Sequence, residues 1–274
     1  MEDKIREAKA KALEALFSQI HPFIVQIYKK ESEDEPIDIS ALASGVLFEF
    51  NNGYYLLTAG HVYENETVQD IGTFINGDFY VLQGAISYLS PCKSKENNKG
   101  DIAVCKLLPE VAEDLKQYYS FTTIEQIAMN HILSEENRYF IFGYPVTKTK
   151  KNTQRKTIKP IPFKFVTKGI TTPQIYQKLD LDNGTNFLLD FHRKKLADTK
   201  TNIKQTAPKP YGISGTGLWY LDKDKKIYLV GIMTEWRDKE SSFLSTRIDL
   251  PIELIHHRFD NTIPQSNVIK PSFE

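Results

Sequence analysis

Three residues in this chain have the types and settings that nucleophilic acyl chemistry requires. His61 ends the apolar run Tyr54-Tyr55-Leu56-Leu57-Thr58-Ala59-Gly60, where an imidazole would stand at a strand terminus. Asp101 opens Gly100-Asp101-Ile102-Ala103-Val104, at the lip of a strand where the backbone can direct a buried carboxylate. Ser214 lies in Tyr211-Gly212-Ile213-Ser214-Gly215-Thr216-Gly217; its flanking glycines permit a tight turn that exposes the hydroxyl and gathers N–H groups toward one point. A serine hydroxyl attacks a carbonyl carbon when a histidine takes its proton and a carboxylate orients that histidine. Each motif alone is ordinary turn or strand-end chemistry. Together, in the order His, Asp, Ser and each at a strand edge, they carry a combined meaning.

The elements that must position them follow from hydrophobic periodicity. Ile5, Ala8, Ala12, Leu16 and Ile20 recur at helical spacing, predicting an amphipathic helix over residues 3–19 that ends at His21-Pro22. Short apolar runs predict strands over 23–30, 44–50, 54–59, 79–89 and 101–108, with Asn51-Asn52-Gly53 as a hairpin turn. Helical pieces are expected over 109–119 and 123–133. Strands resume over 138–145, 162–170, 186–192, 216–221, 226–236 and 241–248, and a closing helix begins at Asp249 with Pro251 in its first turn. Many short strands with helices at the edges predict a mostly-β barrel or sandwich.

Composition narrows the function classes. The 274 residues are 41% hydrophobic, enough to bury a sizeable core, and the 35 basic and 35 acidic residues cancel. Nothing global recommends nucleic acid or an anionic membrane as partner. The charged N-terminus lacks the apolar stretch of a secretory signal, so a cytoplasmic location is expected. Cys92 and Cys105 are too few for a disulfide framework, and both are read as reduced thiols, Cys105 in a core strand. The remaining histidines lack ligand spacing, so no metal and no cofactor is implied. The largest local bias is basic: Lys148, Lys150, Lys151, Arg155, Lys156, Lys159, Lys164 and Lys168 occur with no intervening acid, read as a solvated hairpin or loop.

At this point the sequence resembles the chymotrypsin/trypsin-like serine peptidases, particularly bacterial forms without disulfides. Thr58-Ala59-Gly60-His61 is similar to the family's Thr-Ala-Ala-His, Gly100-Asp101-Ile102-Ala103 to its Asp-Ile-Ala-Leu strand, and Gly212-Ile213-Ser214-Gly215 to its Gly-Asp/Asn-Ser-Gly. Leu229-Val230-Gly231-Ile232-Met233-Thr234 is similar to the family's Val-Gly-Ile followed by Ser or Thr. The resemblance implies an all-β fold of two packed six-stranded antiparallel β-barrels with an N-terminal and a C-terminal helix. Residues 1–20 would be a helical extension, 21–120 a barrel carrying His61 and Asp101, 121–260 a barrel carrying Ser214, and 261–274 a tail.

The same resemblance implies a serine endopeptidase with an active site between the barrels. His61, Asp101 and Ser214 would be its catalytic triad, and the N–H groups of Gly212 and Ser214 its oxyanion hole. Thr234 would pair its backbone with an extended substrate and support Asp101 through its hydroxyl, with Glu235 and Trp236 continuing that substrate strand. Trp236 either narrows the channel or packs on the barrel. Ile213 stands where digestive members carry an aspartate for a newly cleaved N-terminus, so activation by N-terminal insertion is not expected. Residues 204–212 hold no acid, which does not support an acid-based pocket for Arg or Lys. The expected partners are a protein or peptide substrate and a regulatory partner or ligand; nucleic acid is disfavoured, and no membrane is expected. The alternative is a catalytically silent module on this fold, binding a peptide or, through 148–168, nucleic acid.

Overall fold

Apolar residues occupy both faces of the central strands because each face meets a different core. The computed structural model describes residues 2–31, 38–64, 66, 68–89, 100–148, 150–152, 157–197, 204–207 and 209–269. Cys92, Arg155, Lys156 and tail residues 270–274 lie outside the described residues. After helix α1 (Glu2–Ile20) come β1 (Ile24–Lys30), β2 (Ile39–Phe50), β3 (Gly53–Thr58), β4 (Ile71–Ile75), β5 (Asp78–Val81), β6 (Gly84–Leu89) and β7 (Ile102–Leu107). Side chains alternate across a strand. In β2 this sends Leu47 into the first sheet's own interior and Val46 and Phe48 outward; in β7, Ala103, Cys105 and Leu107 go inward, Ile102 and Val104 outward. The outward set meets the second barrel, so neither face can be polar.

The first sheet runs β5-β4-β1-β2-β3-β7-β6, antiparallel throughout. Its two end strands, β5 and β6, are consecutive in the chain and separated only by Leu82 and Gln83. They are halves of one bent strand, so the sheet closes on itself as a six-stranded barrel. At the bend Leu82 N–H donates to Ile71 O (3.0 Å) and Leu108 N–H to Gln83 O (3.0 Å), stitching each half to its own neighbour.

After α2 (Pro109–Lys116), the second half holds β8 (Tyr139–Gly143), a ribbon of β9 (Lys150–Asn152) with β10 (Thr157–Lys159), β11 (Phe163–Thr167), β12 (Gly169–Ile170), α3 (Pro173–Lys178) and β13 (Asn186–Asp190). A second ribbon, β14 (Leu196–Ala197) with β15 (Lys204–Gln205), precedes β16 (Gly217–Leu221), β17 (Ile227–Arg237), β18 (Ser242–Arg247) and α4 (Asp249–Arg258). The second sheet runs β11-β8-β16-β17-β18-β13-β12. Its ends, β11 and β12, are likewise consecutive in the chain, here separated only by Lys168, and close a second six-stranded barrel.

Between the barrels lies a shared core of Val46, Phe48, Tyr55, Leu57, Phe140, Phe142, Trp219 and Ile232, capped by Leu16, Phe17 and Ile20 of α1 and by Ile252 and Ile255 of α4. Phe17 meets the rings of Phe140 and Phe142 at 6.2 and 6.3 Å, and Glu14 pairs with Lys164 (2.5 Å), so α1 is pinned to the second barrel before the chain enters the first. Lys164, one of the basic run, is therefore occupied inside the protein. Ile263 and Ile269 join the shared core, so the described part of the tail packs against the body. Trp219 is fully buried there and stacks on Phe23 at 5.7 Å. Trp219→Ala is expected to cost about 3–5 kcal/mol, measured by chemical denaturation.

The expected helix over 123–133 is absent. Thr123 does form a capping box with Gln126, but the helix stops after the single turn Ile124–Gln126. Ile127 bridges to Leu229 and Asn130 takes a left-handed φ of 58° while its N–H donates to Asp249. Tertiary partners on β17 and α4 outcompete local helical propensity there. Strand β4, the β14–β15 ribbon and helix α3 lie outside the elements that periodicity predicts. Cys105 is a free buried thiol in β7, its pKa pushed up to about 12 by burial. No helix among the described residues is long and apolar enough to cross a membrane.

Candidate active site

β3 ends at Thr58, and the chain turns at once into a short 3-10 turn, Gly60–Val62, that swings His61 off the barrel edge. Asp101 lies immediately before β7, the strand paired with β3, so antiparallel pairing brings the two residues side by side. The Asp101 carboxylate accepts the His61 backbone N–H on Oδ1 (2.9 Å) and pairs with His61 Nδ1 on Oδ2 (2.7 Å). A side chain at residue 60 would strike the Asp101 carboxylate and the Ile102 nitrogen, so only glycine permits this approach. The carboxylate acts as acceptor, which places the ring proton on Nδ1 and leaves Nε2 as a free base.

Asp101 is 13% exposed and His61 44%, a partly covered orienting group beneath a more accessible ring. Burial works against the charged imidazolium. The hydrogen bond and charge of Asp101, joined by the charges of Glu64 and Glu235, outweigh it and hold the His61 pKa above its ordinary 6.5.

Ser214 occupies the turn before β16. Gly212 and Gly215 both have left-handed φ, 88° and 85°, which a side chain would strain. Three hydrogen bonds fix the turn's peptide planes: Val146 N–H donates to Tyr211 O (2.7 Å), Thr216 N–H to Ile213 O (3.0 Å), and Gly215 N–H to Met233 O (2.6 Å). In a trans peptide the N–H points opposite to the C=O. Tethering the Tyr211 and Ile213 carbonyls therefore turns the Gly212 N–H away from Val146 and the Ser214 N–H away from Thr216. Among the described residues neither of these N–H groups has a hydrogen-bond partner. Ile213, between them, is buried in the second barrel's core, an apolar anchor for the turn.

The Ser214 hydroxyl donates to the backbone carbonyl of Thr234 (3.2 Å). That carbonyl is available because the β17–β18 register shifts at Thr234, a bulge that releases it from the ladder. Among the described residues no hydrogen bond joins Ser214 Oγ to His61. The serine turn nonetheless packs on the first barrel beside the strand that leads to His61. Ser44 N–H of the first barrel donates to Ser214 O (2.9 Å), and a side chain at Gly215 would run into Thr58, three residues before His61.

Thr234 does not support Asp101. Its hydroxyl donates to Leu244 O (3.3 Å), because the bulge turns the side chain toward β18. The threonine at Asp101 is Thr246, fully buried on β18, which accepts from Asp101 N–H (3.4 Å) and donates to Asp101 O (3.3 Å). Nothing in Ser-Ser-Phe-Leu-Ser-Thr-Arg-Ile marks that threonine, since its partner is brought in from the other barrel. Glu235 is exposed and paired with Arg237 (2.9 Å), which offsets its charge. Trp236 is half-buried against the second-barrel core, its ring 5.6 Å from Tyr211 in an edge-on contact.

No protein-family profile matches the chain, and no curated protein matches it. Solved structures do. The structure of the VesB protease of Vibrio cholerae matches with a TM-score of 0.54 and 17% sequence identity, covering 86% of this chain. The fold is a chymotrypsin-like double β-barrel. The match covers 63% of the VesB chain, so this chain spans less than two thirds of that protein's length. At 17% identity the likeness is one of fold, and any chemistry rests on this chain's own residues.

Proposed function

We propose that this protein is a serine endopeptidase that cleaves peptide bonds through an acyl-enzyme on Ser214. The observation that carries the reading is the double grip of Asp101 on His61, with the serine turn, whose Gly212 and Ser214 N–H groups have no partner among the described residues, packed against Ser44 and Thr58 of the same barrel. In the proposed step Ser214 Oγ leaves the Thr234 carbonyl, gives its proton to His61 Nε2 and attacks the substrate carbonyl carbon. The Gly212 and Ser214 N–H groups receive the developing oxyanion, each such donor being worth about 3–4 kcal/mol in the transition state. His61 then returns the proton to the leaving amine, Asp101 having stabilised the imidazolium meanwhile. An extended substrate would run along Thr234–Trp236, with Tyr211 and Trp236 as an aromatic wall.

A fluorophosphonate probe tests the reading directly. Wild-type protein should be labelled at Ser214, whereas absence of labelling both with and without added substrate-like peptide, beside a reactive control protease, would overturn it. The rate of labelling should rise with pH and inflect above 6.5, because the base must be neutral and its pKa is raised. Stability should run the other way. Since the folded-state pKa exceeds the unfolded one, the charged His61–Asp101 pair contributes fully below about pH 6.5 and fades as pH rises through the higher value. An inflection below 6.5 would remove His61 from the role of base.

A second reading has one observation behind it: the Ser214 hydroxyl rests on Thr234 rather than on His61. A catalytically silent peptide-binding module would keep it there permanently, and an enzyme awaiting a regulatory partner would keep it there until bound. Labelling that appears only with added substrate-like peptide would favour regulation; labelling of the isolated protein would exclude the silent module.

A further inference from the structure

We propose that Ser44, on β2 of the first barrel, is a positioning residue that holds the serine turn of the second barrel in its N–H-forward form. The inference rests on the peptidase reading above for its catalytic consequence, but not for its structural one. Ser44 interrupts the apolar pattern Ala-Leu-Ala-Ser-Gly-Val-Leu-Phe and is fully buried. A buried hydroxyl without partners is costly, and here it both donates and accepts. Its Oγ donates to Gly212 O (3.2 Å) and accepts from Tyr144 N–H (3.1 Å). Its backbone N–H donates to Ser214 O (2.9 Å), and its carbonyl accepts from the Thr58 hydroxyl (2.8 Å).

These contacts fall on both sides of the bond that aims the Gly212 N–H. Val146 N–H holds Tyr211 O; Ser44 Oγ bridges Tyr144, two residues before Val146, and Gly212, one residue after Tyr211. One hydroxyl thus ties the two segments that must stay together for the Tyr211–Gly212 peptide to keep its orientation. The tether is needed because Gly212, having no Cβ, meets little steric resistance to peptide rotation. The backbone bond from Ser44 to Ser214 O remains whatever the side chain, so the Ser44 hydroxyl acts on the Gly212 donor selectively. An element of one barrel thereby sets the geometry of the anion site in the other.

The test compares Ser44→Ala with Thr58→Val, which removes the neighbouring hydrogen bond to the Ser44 carbonyl while leaving the Ser44 hydroxyl in place. With p-nitrophenyl acetate as the activated ester, Ser44→Ala is expected to lower kcat about 10²-fold, as for a misaimed oxyanion donor, with KM within about twofold and the pH inflection unmoved. Thr58→Val should retain more than half of wild-type kcat. In ¹⁵N-labelled protein the Gly212 amide resonance should shift or broaden in Ser44→Ala and stay in place in Thr58→Val. Equal loss in both variants, or a Ser44→Ala protein with wild-type kcat and an unmoved Gly212 resonance, would overturn the proposal. Should Ser44→Ala not fold, the near-isosteric Ser44→Cys, a poor donor, carries the same comparison. If the wild type proves unreactive the peptidase reading fails alone, because the Gly212 resonance still reports whether the Ser44 hydroxyl holds the turn.

Discussion

Ser214→Ala is expected to lose fluorophosphonate labelling entirely and about 10⁶-fold in kcat on a peptide or ester substrate. The effect is large because no neighbouring side chain can substitute for the attacking oxygen. Folding should scarcely notice. The deleted hydroxyl makes one hydrogen bond, to Thr234 O, worth about 1 kcal/mol, or about 2–4 °C in Tm for a chain of this size. The turn itself is held by backbone bonds from Ser44, Gly215 and Thr216, none of which involves the Ser214 side chain. Its two N–H groups should therefore stay aimed, leaving about 10³–10⁴-fold residual acceleration over water. Kinetics paired with calorimetry checks both halves. Continued labelling of the alanine variant would place the nucleophile elsewhere.

Asp101→Asn should cost about 10⁴-fold in kcat near pH 7 while leaving the protein folded. The asparagine carbonyl can still accept the His61 backbone N–H, keeping the turn in place. Its amide group, however, would face Nδ1 with a donor where the carboxylate offered an acceptor. His61 would then carry its proton on Nε2, the nitrogen that must receive the proton from Ser214. Asp101 also supplies the main attraction that raises the His61 pKa, so the inflection in the pH–rate profile should move down in the variant. A wild-type rate, or an unchanged inflection, would show that Asp101 does not orient the base. Unfolding of the variant would instead assign the Asp101 carboxylate a structural role through its two contacts with His61.

Much of the barrel was legible locally. The runs at 79–89 and 162–170 each read as one strand, and each is one bent strand closing a barrel, divided by a short change of pairing partner. Strand β4 lacks a clear periodic signal because Gly72 breaks its apolar run, although Asn76-Gly77, with φ of 54° and 95°, is as strong a hairpin signal as the Asn51-Asn52 turn. The opposite holds at 123–133. Its apolar spacing suits a helix, but those side chains and amides are claimed by Leu229 and Asp249, far along the chain.

The candidate site divides in the same way. His61, Asp101 and Ser214 stand out because their chemistry is bound to local backbone demands: a glycine beside the histidine, an acid at a strand lip, glycines around the serine. Those demands are written in adjacent residues, so the sequence alone determined which groups could react and the order in which they occur. Only the tertiary structure decided that Thr246 rather than Thr234 supports Asp101, that the Ser214 hydroxyl rests on Thr234, and that Ser44 reaches across to Gly212. Each of these is a contact set by the packing of distant strands, or by a one-residue bulge that redirects a carbonyl. Residue type and spacing along the chain carry no record of which neighbour the other barrel will bring.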